Sequence, residues 1–191
     1  MKYILFILTF LICQMCFADS DFPIPKGYVL QRLDATDGKI AKPKDWFYKN
    51  SGTSNGWVWT FSEEDTSKGE YETGLRLQLI VEVKKNMKQS PENFAKGFLN
   101  SKKNGISFLK PCDETVVGDF IRQCLETVEK IPQKSGTKAF HILYSVFWSN
   151  NRDMVVVSTF GAPVEKWENV KSISSSMSYF ELIGPNIGVS H

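Results

Sequence analysis

Few side chains in this sequence are of the kinds that do chemistry. His141 is one of two histidines, and the other, His191, is the last residue. An imidazole works as a general base when a nucleophile and an orienting group stand beside it. The carboxylate that best suits it is Glu126, so a small hydrolase or isomerase using His141 with Glu126 is one reading. Against it, no Gly-x-Ser-x-Gly elbow is present, and His141 lies between Ala139 and Leu143 on the same side of an apolar strand. A structural histidine is favoured, and no catalytic residue is assigned.

Metal chemistry fares no better. The sequence has no His-x-x-x-His, no Cys-x-x-Cys and no calcium-loop pattern. Glu63, Glu64, Asp65, Glu70 and Glu72 gather carboxylates on one loop, which suits a hard cation, but a solvated loop is the favoured reading. Gly52 to Gly56 has the glycines of a phosphate loop without the following Lys-Ser/Thr, and it leads into a strand instead of a helix. No metal and no cofactor is expected.

Cysteine chemistry is clearer. Of the four cysteines, Cys13 and Cys16 fall in an N-terminal stretch with Lys2 followed by an apolar run from Tyr3 to Phe17. This has the layout of a secretory signal peptide ending at Ala18. A membrane anchor is disfavoured, since about 15 apolar residues are short for a bilayer span. A lipid-anchored envelope component through Cys16 is an alternative, weakened by Gln14 and Met15 where that signal takes small residues. The exported chain then keeps Cys112 and Cys124, which are expected to form one disulfide. A hairpin turning near Gly118 would set Cys112 opposite Cys124 and Glu114 opposite Arg122.

The elements that must position these residues centre on Lys138 to Phe160. Two apolar runs, Lys138 to Trp148 and Met154 to Phe160, flank the turn Ser149 to Asp153 and predict a β-hairpin. Both faces of the first run are apolar, which predicts a sheet covered on both sides. Tyr28 to Leu33, Trp57 to Phe61 and Gly74 to Val83 read as further strands, with a loop of small polar residues from Asn50 to Gly56 before the second. The last has a polar face of Arg76, Gln78 and Glu82, which suggests a place near the sheet edge. Ser90 and Pro91 open a helix carrying Phe94, Ala95, Phe98 and Leu99, which Asn104-Gly105 would stop. Pro163 opens another with Val164, Trp167, Val170, Ile173 and Met177, and Tyr179 to Ile183 closes the fold as a strand. The sum predicts an α+β fold: a mostly antiparallel sheet with helices on both faces, a three-layer α/β/α sandwich. The expected organisation is a signal peptide over 1–18, one globular domain over 19–183 and a flexible tail over 184–191.

A proline-rich lead-in, the Pro-x-x-Trp element from Pro43 to Trp46, a mid-chain helix, an apolar strand pair, a Trp-bearing helix and a last Phe-containing strand resemble the PsbP-like family. That family is named for a photosystem II extrinsic subunit, and its fold is shared with a Ran-binding protein family. The resemblance implies an α/β/α sandwich and a non-enzymatic binding or assembly role. No residue set here matches a photosystem or Ran contact.

Charge narrows the partners. The formal net charge is +2, and losing Lys2 with the leader leaves +1. No basic run is interleaved with aromatics, so nucleic acid is not an expected partner. No segment after the leader is long and apolar enough to span a membrane. Trp57, Trp59 and Phe61 share one face of a strand and are expected in the core, whereas Trp46 and Tyr48 are the candidate partner-contact residues. The expectation is an exported, periplasmic or secreted, non-catalytic binding or accessory protein of the cell envelope, acting on a protein partner.

Overall fold

The computed structural model describes residues 22–103, 107–133 and 136–184. The expected leader with Cys16, the helix stop at Asn104-Gly105 and residues 185–191 of the expected tail lie outside the described residues. Two antiparallel sheets make the frame. The larger has eight strands: β3 (Phe47–Thr53), β4 (Gly56–Ser62), β5 (Gly74–Val81), β6 (Phe108–Pro111), β7 (Thr115–Val117), β8 (Phe120–Gln133), β9 (Gly136–Ser149) and β10 (Met154–Pro163). Their spatial order is β3-β4-β5-β10-β9-β8-β6, with β7 also on β8. The smaller sheet joins β1 (Tyr28–Leu33), β2 (Asp37–Pro43) and β11 (Phe180–Ile183) in the order β1-β2-β11. Three helices complete the chain: α1 (Val83–Met87), α2 (Pro91–Ser101) and α3 (Val164–Ser176).

The expected hairpin is β9 with β10, paired from Met154↔Ser149 to Pro163↔Phe140. Its two faces found two cores. On one, Tyr144, Val146 and Trp148 pack with Val155, Val157, Ala95 and Leu99. On the other, Val156 and Phe160 pack with Trp59, Leu77, Leu33, Ile40 and Trp167. Burial on both faces explains why the run shows no polar alternation.

The three-layer sandwich is not what forms. Strand accounts for 53% of the structure and helix for 18%, so the fold is β-rich and mostly antiparallel. Each longer helix is too short to roof an eight-stranded sheet, and much of one face is covered by the second sheet, through Leu33, Ile40 and Phe180. That sheet was hidden in the sequence because β2 reads Asp-Gly-Lys-Ile-Ala-Lys-Pro, turn-like in composition. It is tied to the large sheet at Asp34. The Tyr48 hydroxyl and the Asn50 amide donate to Asp34 Oδ2 at 3.0 Å each, and Trp59 Nε1 donates to the Asp34 carbonyl at 3.2 Å.

Two further expectations are corrected. β5 is an interior strand between β4 and β10, not an edge, and its polar face looks into a cleft described below. The segment from Asn50 to Gly56, expected as a loop, is mostly β3 and its turn into β4. By contrast α2 starts as read: Pro91 is its first residue, and Ser90 Oγ accepts from the Asn93 amide at 3.1 Å.

Cys112 and Cys124 are bonded, with Cα atoms 5.0 Å apart, and the Cys112 amide donates to the Cys124 carbonyl at 3.0 Å. The pairing then slips by one residue. Pro111 faces Leu125, yet Thr115 faces Arg122, so Glu114 is not Arg122's cross-strand partner as expected. An extra residue between β6 and β7 absorbs the slip, as in a β-bulge. Arg122 instead donates to Ser145 Oγ at 3.1 Å. Replacing both cysteines by serine should cost about 3 kcal/mol, the chain-entropy value for so short a loop. Urea unfolding of the oxidised and the double-serine proteins checks this.

Candidate functional site

His141 is placed by β9, which pairs it with Val128 on one side and Ala162 on the other. Glu126, two residues before Val128, projects from the same face of β8. The structure brings the two together: His141 Nε2 lies 2.6 Å from Glu126 Oε1, close enough for a charge pair but not aligned for a hydrogen bond. The imidazole is closed in. Trp167 of α3 stacks on it at 4.0 Å between ring centroids and 10° between planes, and Phe108 meets it edge-on at 5.9 Å. Its side chain is 14% exposed. The two groups that could do acid–base work therefore meet, under a cover made by Trp167 and Phe108.

Trp46 lies in the core at 8% exposure, stacked 6.2 Å from Phe160, so it offers no face to a partner in this conformation. Tyr48 is half-buried against Phe61, at 5.3 Å. Its phenol is pushed up to about 12, first by burial and then by the Asp34 carboxylate that accepts its proton, while the Asp34 amide donating to its oxygen pulls the other way. A raised phenol means the fold favours the protonated form. The resulting stability is complete below pH 10 and is lost as pH climbs through about 12. Burial raises Tyr71 and Tyr144 as well, so alkaline titration at the tyrosinate absorbance band should show a late-ionising group of tyrosines that Tyr48→Phe reduces by one.

The acidic loop spends its carboxylates locally. Glu64 accepts from the Glu72 and Thr73 amides, Lys166 spans Glu63 and Glu64 at 3.5 and 3.6 Å, and Glu72 pairs with Lys138 at 2.6 Å. Among the described residues no three metal-ligating side chains come together.

Among the described residues lie two concave regions that were not read from the sequence. One is a cleft of about 550 Å³ on the α2 side of the large sheet. Its floor comes from β5, β10 and β9, and its walls from the end of α2, the loop before β5 and the far end of the β8–β9 pair. The other is a groove of about 330 Å³ on the opposite face, lined by Val117, Phe120, Phe147, Met154, Phe180 and Ile183 among others. Large apolar side chains crowd the rim of this groove in the open: Val117 is 51% exposed, Tyr179 53% and Ile183 43%. The signal for it was a pair of adjacent valines, Val116-Val117, beside a turn glycine. Gly118 sits at φ +58, in the left-handed region, and its turn folds the valines back onto β8, their one partner strand among the described residues.

No protein-family model matches the chain. No curated protein matches it either. Among solved structures it is similar to cyanobacterial PsbP (CyanoP) from Synechocystis, at 18% identity over 86% of this chain and 98% of that one, with a TM-score of 0.47. It is similar also to the Saccharomyces cerevisiae Ran-binding protein Mog1p, at 12% identity over 82% and 95%, with a TM-score of 0.48. The chain thus resembles PsbP and Mog1p, at a similarity too low to pass on anything those proteins bind.

Proposed function

We propose that this chain is an exported, non-catalytic binding or accessory protein of the cell envelope that works through surface contact with a partner protein. The observation that carries this is the open apolar groove between β7 and β11. Exposed Val117, Tyr179 and Ile183 rim a concavity whose interior is apolar, which is how a protein-recognition surface differs from scattered surface hydrophobes. The occupant that fits is an extended segment of the partner. Among the described residues β7 pairs with β8 alone, so its outer edge can take an added strand through backbone hydrogen bonds beside Val117. The enclosed His141–Glu126 pair supports the non-catalytic reading, and the Cys112–Cys124 bridge suits an oxidising compartment. No helix among the described residues is long and apolar enough to cross a membrane.

The test is capture from a native envelope fraction with the folded protein, its Val117→Asp and Ile183→Asp variants, and Lys49→Glu on the opposite edge strand as control. One partner held by the parent and Lys49→Glu but lost from both groove variants supports the reading. Capture that ignores the groove variants, or self-association as the only product, overturns it.

A further inference from the structure

The cleft on the other face is built differently. Its floor is apolar at one end, where Phe140 and Ile142 lie, and polar beside it, where Arg76 and Thr159 pair across β5 and β10. Its volume, about 550 Å³, falls in the range of small-molecule sites. The charges around it are not equally engaged. Glu72 is held by Lys138 at 2.6 Å, and Glu129 accepts from Tyr144 and from Thr127 at 2.9 Å each. Two cations at the cleft have no carboxylate among the described residues. Arg76 is exposed at the mouth, with only Thr60 and Thr159 opposite it in the sheet. The Lys102 ammonium stands 5.0 Å over the Tyr144 ring and 5.5 Å over the Phe98 ring, two rings that line the cleft. Glu70 also lines it, but on the exposed loop at the rim.

Empty space on the floor is also set by residue choice. Gly161 lines the cleft, and a methyl there would meet only Ile142 Cγ1 at 3.6 Å and the His141 carbonyl at 3.7 Å, both ordinary contacts. The fold does not require a glycine at that place, yet a branched side chain there would take up room on the cleft floor beside Ile142.

We infer that this cleft binds an amphiphilic carboxylate, its anionic head between Arg76 and Lys102 and its apolar body over Gly161, Ile142 and Phe140, the residues that follow Arg76, Thr159 and Tyr144 along the sheet. Guanidinium takes a carboxylate in two parallel hydrogen bonds. Burial of the hydrocarbon supplies the larger share of the affinity. A cationic or neutral amphiphile lacks the first of these interactions.

Decanoate is the probe, titrated calorimetrically into the full folded chain, with decan-1-ol and decylammonium as comparators. The expected result is one saturable decanoate site, at least tenfold weaker in Arg76→Gln, weakened also in Lys102→Gln, and lost in Gly161→Val. Unliganded melting of each variant shows that it is folded, and Gly161→Ala serves if the valine is not. Absence of a saturable site overturns the inference. So does decylammonium binding as tightly as decanoate, or affinity unchanged in Arg76→Gln and in the Gly161 variant. None of these results bears on the groove, which lies on the other face.

Discussion

Trp59→Ala is expected to be among the most damaging single changes to the fold, costing about 3–5 kcal/mol, the range for truncating a buried aromatic. Trp59 is fully buried in the core shared by the two sheets. Its loss removes packing against that core and also the 3.2 Å hydrogen bond from Nε1 to the Asp34 carbonyl. That bond is one of the ties by which the β1–β2 turn is held to β3 and β4, so the substitution should loosen the small sheet as well as hollow the large one. Trp59→Phe separates the contributions: it keeps most of the packing, loses the donor, and should cost about 1–2 kcal/mol plus a modest void. Denaturant unfolding of the three proteins tests the ranking, and a Trp59→Phe protein as unstable as Trp59→Ala would show that the bond, not the volume, dominates.

Gly38→Ala should be comparably harmful for a different reason. β2 and β11 approach so closely there that an added methyl would fall on the Glu181 carbonyl oxygen and within 2.6 Å of the Leu182 carbonyl carbon and oxygen. Backbone cannot swing aside as a flexible side chain can, so β11 must shift off β2 or the methyl cannot be accommodated. The cost of such overpacking is about 1–3 kcal/mol and more where relaxation is blocked. Gly52→Ala is the matched control: a methyl there has no heavy atom within 4 Å, and the change should fall within about 0.5 kcal/mol. Because Leu182 and Ile183 of β11 wall the groove, Gly38→Ala should also speed amide exchange in β11 and weaken partner capture, whereas Gly52→Ala leaves both unchanged. Unaltered exchange in β11 would mean that the small sheet tolerates the methyl and that the close approach is not what fixes the groove wall.

The sequence was most legible where local chemistry and tertiary burial agreed. β9 and β10 are long, β-branched and aromatic, and they flank an Asn-rich turn, so their pairing could be read without knowing what covered them. The disulfide was legible for a similar reason, since two cysteines twelve apart around a glycine turn leave few other options. β5 misled because an alternating strand reads as half-solvated. Its Arg76 and Gln78 face not the solvent of a sheet edge but a cleft in the middle of the sheet. A bulge is equally silent in sequence, so the one-residue slip after Cys112 moved Arg122 away from Glu114.

The layers went astray for a quantitative reason. Two amphipathic helices predict two helical covers, but eleven- and thirteen-residue helices cannot span eight strands, and the remaining cover came from strands whose composition resembles turns. The site residues divided in the same way. His141 and Glu126 were brought together as their types suggested, but into an enclosure made by Trp167 and Phe108, which are distant in sequence. Trp46 and Phe47 are adjacent and equally apolar; only packing decided that Trp46 turns inward and that Phe47 is 43% exposed.

The groove reading is tested most directly by photocrosslinking in the native envelope. A benzophenone amino acid replaces Val117 in one protein and Lys49 in another, and both are irradiated under identical conditions. The account predicts one dominant heterologous adduct from position 117, none from position 49, and loss of that adduct when Ile183→Asp is added across the groove. Adducts of equal yield at both positions, or an adduct at 117 that survives Ile183→Asp, would contradict it.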